Sequence, residues 1–345
     1  MLTLPNGIQL TYGFDNANEL TGLTYTLGAS TVGTMTYGYD SDGRIITRGG
    51  TLDVTNLPAA LASASYDANN RLTNWGSTTL SYDANGDLTG DGTNTYTWNT
   101  RNQLTGISGG ATASFVYDAL GRRESKTISS TSTNFLYDGL NLEQELNGTT
   151  PTVNYLTGTN IDETLSRTDS GGTESYLTDN LGSTLALTNS SGAISTSYSY
   201  EPYGNTTATG TTSTNALQYT GRENDGDGLY YYRARYYNPV YGRFISEDPI
   251  GLLGGINTYL YALNNPVNEI DPYGLFCLPP QLRDTVIGGG SRGRLVVLLM
   301  VQLPEVYLAQ SREVVLEELL VQPVVILVIT MALEALQLVA LRVLD

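Results

Sequence analysis

Two short phrases carry the residues best suited to chemistry in this 345-residue chain: Asp-Pro-x-Gly at 248–251 and again at 271–274. Two carboxylates brought within a few ångströms cannot both ionise, so one keeps a proton and the pair divides the roles of acid and base. The proline after each acid restricts its backbone and holds Asp248 and Asp271 in a defined direction. Gly254 and Gly255, followed by Asn264, Asn265 and Pro266, supply turns that can fold the second acid back beside the first. Taken as bare sequence, Asp-Pro-x-Gly is also an ordinary turn.

Other chemistries are thinly supplied. The chain has no histidine, which removes His-based triads, His metal ligands and His pH switching. Catalysis must therefore use carboxylates, hydroxyls or the single Cys277, which cannot form an internal disulfide. No cofactor and no resident metal is expected. The Asp-Gly-Asp-Gly stretch at 225–228 has a calcium-loop look, but no Glu follows at EF-hand spacing, so it reads as a solvated turn. The formal charge is −17, of which residues 276–345 carry −2 and the preceding body −15. A body that acidic repels phosphate backbones, so nucleic acid is not an expected partner. The amino terminus, MLTLPNGIQL, lacks the basic and apolar regions of a signal peptide, and the compartment stays open.

The elements that must position the acids are β-strands. With 38 Gly, 25 Tyr, abundant Thr, Ser and Asn, and Lys126 as the only lysine, the composition favours many short strands and turns over helices. One phrase recurs: an aromatic residue, Asp or Asn, two or three small residues often ending in Gly or Asn, then a Leu-led strand. Its copies centre on Asp15, Asp40, Asp67, Asp83, Asn99, Asp118 and Asp138, at spacings of 16 to 27 residues, and weaker continuations follow near Asp179 and from Glu201. Such spacing suits hairpins of variable length. Within each copy the aromatic residue covers the core, Asp caps the turn, and Gly or Asn accepts positive φ before the next strand begins. The expected fold is all-β: an antiparallel sheet of successive hairpins over residues 10–245, with Tyr and Leu inward and Thr and Ser outward.

These Tyr-Asp phrases, together with GLYYYRARYYNPVYGRFISEDPIGLLGG and the closing NNPVNEIDPYGL, resemble the carboxy-terminal part of the Rhs or YD-repeat family. The resemblance spans about residues 10–275 and divides the chain into YD repeats (1–210), an Rhs repeat-associated core (211–275) and a variable tail (276–345). It implies a shell, built from a long sheet spiralling around an enclosed payload, with the payload following the second Asp-Pro-x-Gly. It further implies a self-cleaving aspartyl protease with Asp248 and Asp271 as acids, Arg235 beside them and the scissile bond at Leu275–Phe276. Arg243 is the less favoured arginine. The implied partners are the chain's own carboxy-terminal payload and, through the parent system, a secretion apparatus or an immunity protein. An exported or cell-surface setting goes with them. The alternative is an adhesion-type YD-repeat protein without cleavage or toxin.

The composition breaks in the tail. Gly is absent from residue 294 onward, and no Asn follows Asn268. The longest apolar runs are shorter than the ~18–20 residues a membrane-spanning helix needs, so a buried helix or short hydrophobic anchor is expected if the segment is a genuine frame. Another origin fits better. Gly and Ala codons read one nucleotide late, ahead of another G, encode only Val, Ala, Glu, Gly, Leu, Pro, Gln and Arg, and all but eight of the 52 residues at 294–345 come from that set. The expectation is a shifted reading frame near residues 287–293, and hence a tail that is irregular or falsely helical.

Overall fold

The computed structural model describes residues 1–277, and the expectations for the tail beyond Cys277 lie outside the described residues. Within them all four sheets are antiparallel, with three short 3-10 turns as the helical content. Among the described residues, no helix is long and apolar enough to cross a membrane.

One local rule builds most of the chain. In the turns at Asp15, Asp40, Asp67, Asp83, Asn99 and Asp118, the side-chain Oδ1 accepts the backbone N–H groups two and four residues on; at Asp40 both bonds are 2.9 Å. The third residue on is always Asn or Gly with φ between 56° and 83°, a region those two residues enter at least cost. The fifth residue on is Leu or Ile in five of these six turns and points into the core; Leu72 and Leu88 are fully buried. Burying each such side chain contributes roughly 1.5–3 kcal/mol. Asp138 departs from the rule, opening a tighter hairpin in which Asp138 pairs directly with Asn141.

The aromatic residue before the acid is exposed at Phe14 and Tyr66, against expectation, but in other copies it does more than cover the core. Tyr39, Tyr82, Tyr117 and Tyr137 donate their hydroxyls to the carbonyls of Leu20, Leu72, Leu104 and Arg123, each at the head of the strand that opened the preceding repeat. Trp98 does the same with Nε1 to the Leu88 carbonyl at 2.7 Å. The YD phrase is therefore a stitch between successive repeats as well as a turn. On the other face, hydroxyl pairs such as Thr127–Ser132 and Thr168–Thr173 meet across the hairpins in exposed positions.

The expected single sheet is divided into four. Five strands run from Leu2–Thr3 to Ile45–Gly49, three from Ala64–Tyr66 to Thr78–Thr79, fourteen from Ser81–Tyr82 to Thr206–Gly210, and four from Glu223–Asn224 to Arg243–Phe244. The main interruption, residues 50–63, contains Pro58 within an Ala-rich run that has no alternating pattern, so it cannot extend a ladder. It crosses the long sheet, where Thr55 bridges Tyr200 and Asn56 donates to Ser199 Oγ. The amino-terminal sheet packs Leu4, Ile8, Leu23 and Met35 onto Leu177, Leu185 and Ala186 of the fourteen-stranded sheet. The segment after residue 215 packs on the same long sheet, where Leu229, Tyr231, Tyr236 and Ile245 join Leu88, Tyr96, Leu104 and Phe115 in one core.

Candidate active site

The two Asp-Pro-x-Gly turns close with the repeat turn's glycine but not with its full set of side-chain bonds. Gly251 and Gly274, three residues after their acids, have φ of 59° and 66°, and each donates its N–H back to the Asp carbonyl. Asp248 Oδ1 accepts the Ile250 N–H at 3.0 Å. Asp271 Oδ1 accepts the N–H of Leu275 at 3.0 Å and of Phe276 at 3.2 Å, so its carboxylate lies directly on the bond singled out from sequence.

Arg235 brings the acids together. It lies on the strand Arg235–Asn238, and its Nη2 stands 2.9 Å from Asp248 Oδ2 and 3.3 Å from Asp271 Oδ2. Its Nε donates to the Gly274 carbonyl and its Nη1 to the Thr258 carbonyl, while the guanidinium lies 3.6 Å over the Phe244 ring. All three charged side chains are buried. Gly254 closes the approach: a Cβ there would stand 2.3 Å from Asp248 Oδ2 and 3.0 Å from the Leu275 carbonyl oxygen. Asp248 Oδ2 and the Leu275 carbonyl oxygen thus both lie against Gly254, while Asp271 lies on the nitrogen side of Leu275–Phe276.

Burial sets the protonation. It pushes Asp248 up to about 6, against the downward pull of Arg235, and pushes Asp271 above its ordinary value as well, opposed by Arg235 and by the backbone N–H groups. Raised in this way, Asp248 keeps its proton to higher pH than a free carboxylate does, while Arg235 offsets part of the rise at both acids. Burial also pushes the Cys277 thiol up to about 12, so it is no nucleophile at neutral pH.

Arg243 lies elsewhere. It donates to the Asn70 carbonyl and faces Tyr66 and Tyr259, with no contact to either acid of the pair among the bonds of the described residues. The turn at 225–228 is not solvated as expected: Asp225 is buried against Arg123 and lies 2.9 Å from Lys126 Nζ. Arg123 itself is fully enclosed by Glu223, Asp225 and the rings of Phe135 and Tyr231. Sequence reasoning missed this clasp, although a signal was present. Arg123 occupies the fifth position after Asp118, where the neighbouring repeats place Leu or Ile. Asp87 was missed in the same way. It stands four residues after Asp83, where Arg44, Arg71 and Arg122 reach back to their own turn acids, and both of its carboxylate oxygens are buried without a partner.

A meander of YD turns whose aromatic stitches run from repeat to repeat, pinned by a buried arginine to an acid-bearing carboxy-terminal segment, is the wall of a YD shell. The chain belongs to the Teneurin YD-shell family, whose family model matches residues 6–267. It is similar to double-stranded DNA deaminase toxin A of Burkholderia cenocepacia, with 31% identity over 76% of this chain and 22% of that protein. It is 36% identical to the tRNA3(Ser)-specific nuclease WapA of Bacillus spizizenii over 47% of this chain and 7% of that protein. Among solved structures, the Photorhabdus luminescens Tc holotoxin pore superposes with a TM-score of 0.59 at 20% identity, over 85% of this chain and 19% of that one. A TcdB2-TccC3-Cdc42 complex superposes with a TM-score of 0.57 at 20% identity, covering 78% of this chain and 18% of that one. These structures establish the fold. The chain spans about a fifth of the length of the Burkholderia protein.

Proposed function

We propose that residues 1–275 are the carboxy-terminal wall of an Rhs-type delivery shell, and that Asp248, Asp271 and Arg235 cut the chain once, between Leu275 and Phe276. One observation carries this reading: Asp271 Oδ1 accepts the N–H groups of Leu275 and Phe276, the two residues of that bond, while Arg235 holds Asp248 at 2.9 Å beside it. The alternative, a wall without cleavage, gives no reason to bury two acids against one peptide bond.

The reaction is hydrolysis with a shared proton. The ionised member of the pair takes a proton from water, the hydroxide oxygen bonds to the Leu275 carbonyl carbon, and the protonated member hydrogen-bonds the developing oxyanion. The C–N bond then breaks as a proton passes to the Phe276 nitrogen, leaving a carboxyl group on Leu275 and an amine on Phe276. The substrate is present in cis, so orientation needs no separate binding step. Arg235 keeps the pair from holding two protons and steadies the Gly274 carbonyl just before the cut. In this reading residues 1–210 are repeat wall, 211–275 the cleaving core and 276–345 the released segment, and the partners are that segment with the secretion or immunity components of the parent system.

Intact-mass measurement of the purified chain tests the proposal. A fragment ending at Leu275 and another beginning at Phe276 are expected, and both disappear in Asp248→Asn and Asp271→Asn. Continued cleavage at Leu275 in the double variant sinks the mechanism.

A further inference from the structure

Arg235 has a near twin two residues earlier that touches neither acid. Arg233 takes a positive φ of 58°, which turns its side chain away from the acid pair and toward the sheet. There its Nη2 donates to Asp162 Oδ1 at 2.7 Å and to the Leu140 carbonyl at 3.1 Å, while Nη1 donates to Asp162 Oδ2 at 3.0 Å. The same Nη1 donates to the carbonyl of Pro272, the residue after Asp271. One planar guanidinium therefore spans the turn of the Asp138–Asn141 hairpin, the turn between the strands Thr150–Thr157 and Thr164–Asp169, and the acid loop.

The wall side of this contact is itself built. Asp162 has φ of 59°, donates its N–H to Asn141 Oδ1, and receives a second arginine, Arg222 Nη1, at 2.6 Å. Asn141 Nδ2 in turn donates to the Asn160 carbonyl, so the two sheet turns are tied to each other before they meet Arg233. On the acid side, the Ala234 N–H donates to the Tyr273 carbonyl at 3.1 Å, and a Cβ at Gly274 would strike the Tyr232 carbonyl. The loop that carries Asp271 thus rests on residues 232–235 and is fixed to the sheet through Arg233.

We infer that Asp162 and Arg233 are positioning residues that make the acid pair's geometry conditional on an assembled wall, so that cleavage is withheld until neighbouring sheet turns are in place. This rests on the proposed cleavage at Leu275–Phe276. The physical case is one of reach. Lysine cannot replace Arg233, because one ammonium cannot hold a bidentate carboxylate and two carbonyls in different segments at once. Asparagine at 162 removes the carboxylate that Arg233 faces and one of the two that the buried Arg222 faces. Either change frees the Pro272 carbonyl and lets the 271–277 loop shift. A displacement of about 1 Å at a reacting group costs up to ~100-fold in rate.

The experiment has two readouts. In an Asp248→Asn background, which keeps the chain whole, Cys277 is the only thiol and its alkylation rate reports opening of the 271–277 loop. Adding Asp162→Asn or Arg233→Lys is expected to raise that rate about tenfold or more, with faster hydrogen exchange at the Leu275 and Phe276 amides, while exchange in the strands Leu72–Trp75 and Leu104–Gly109 stays unchanged. In the cleaving chain the same substitutions are expected to slow scission roughly tenfold to a hundredfold and to move the pH of half-maximal rate toward acid, as water reaches the acids. Unchanged alkylation and exchange at 271–277 overturn the inference whatever happens to cleavage. Persistent scission in the Asp248→Asn, Asp271→Asn double variant instead overturns the proposed mechanism and leaves the loop measurement standing.

Discussion

The turn at Asp40 and the turn at Asp271 are the same local device in opposite surroundings. Both acids accept two backbone N–H groups through Oδ1, both face an arginine through Oδ2, and both are followed three residues later by a glycine with positive φ. At Asp40 the backbone bond from Arg44 leads in holding the carboxyl below its ordinary value, because water still reaches the group. At Asp271 burial dominates and drives it the other way. What separates a cap from an acid fit for proton transfer is what covers it: here the aromatic segment around Tyr232 and Phe244, and the loop through Gly254. Proteins that build walls from a capping turn hold a reservoir of well-aimed carboxylates, and burial of two of them changes their chemistry with modest changes to the turn.

The largest expected effect tests that contrast directly. Asp271→Asn keeps the shape of the turn, as Asn99 already shows in a repeat, yet removes a titrating group, so scission is expected to fall by at least ~100-fold. Asp67→Asn makes the same chemical change in a repeat turn and is expected to leave the rate unaltered. Quantifying both fragments over time by mass spectrometry decides the matter; equal losses in the two variants break the distinction between covered and uncovered turns. In the parent, the rate is expected to decline as pH rises through about 6, where Asp248 gives up its proton.

Next in size is the clasp between wall and core. Arg123→Leu restores the residue type its neighbours carry at that repeat position, yet it strands Glu223 and Asp225, both buried, without their shared guanidinium. The expected loss is about 3 kcal/mol in urea unfolding, since removing the shared guanidinium leaves two buried acids with only Lys126 and the more distant Arg222 as counter-charges. Adding Glu223→Gln and Asp225→Asn to Arg123→Leu is expected to recover much of it. A neutral outcome for Arg123→Leu alone denies that the arginine pins the core segment to the sheet.

Much of this was legible in the sequence, and the reason is local. The phased Tyr-Asp phrases fix turn, cap and inward Leu within a few residues, so hairpins, the outward Thr and Ser and the all-β fold follow without tertiary information. The tyrosine stitches were not legible, because the accepting carbonyls belong to the preceding repeat. Nor was the division into four sheets, which depends on residues 50–63 crossing to Tyr200. At the candidate site, Asp248, Asp271 and Arg235 were named, and the structure brings all three together. Arg233 and Asp162 were not, since 71 residues separate a pair that only the folded sheet places in contact.

A smaller effect is expected at Asp87, a turn residue whose two buried carboxylate oxygens have no partner. Burial, with Asp83 and Glu247 nearby, pushes it up to about 7. Its folded value lies above its unfolded one, so the associated stability is fully present below about 4 and is lost as pH rises toward 7. Asp87→Asn imitates the protonated acid, and at pH 8 it is expected to stabilise the fold by roughly 2–4 kcal/mol, an upper range set by the size of the shift. At pH 4 the parent and variant are expected to unfold together. A variant less stable than the parent at pH 8 would show that Asp87 has a partner that its geometry conceals.

The smallest effect belongs to an ordinary repeat turn, Asp118. Its Oδ1 accepts the N–H groups of Leu120 at 2.8 Å and Arg122 at 2.9 Å, and its Oδ2 faces Arg122 Nε at 2.8 Å. Asp118→Asn preserves the two backbone bonds, because an amide oxygen accepts as the Asn99 oxygen does at 2.9 and 3.1 Å. The charge and the hydrogen bond on the Arg122 contact are lost, and with both side chains partly open to solvent that contact is worth about 0.5 kcal/mol or less. Partial burial pushes Asp118 up, but the Arg122 side chain and the backbone N–H groups outweigh it and hold the carboxyl below its ordinary value. The stability it adds is therefore present above the unfolded carboxylate value and disappears as pH falls through the folded one. Parent and Asp118→Asn are expected to differ slightly at pH 7 in urea unfolding and to converge near pH 2, opposite in direction to Asp87→Asn. If Asp118→Asn instead costs as much as Arg123→Leu, the repeat turns are not independent caps, and the stitches from Tyr117 and Tyr137 that flank this turn must transmit its loss along the sheet.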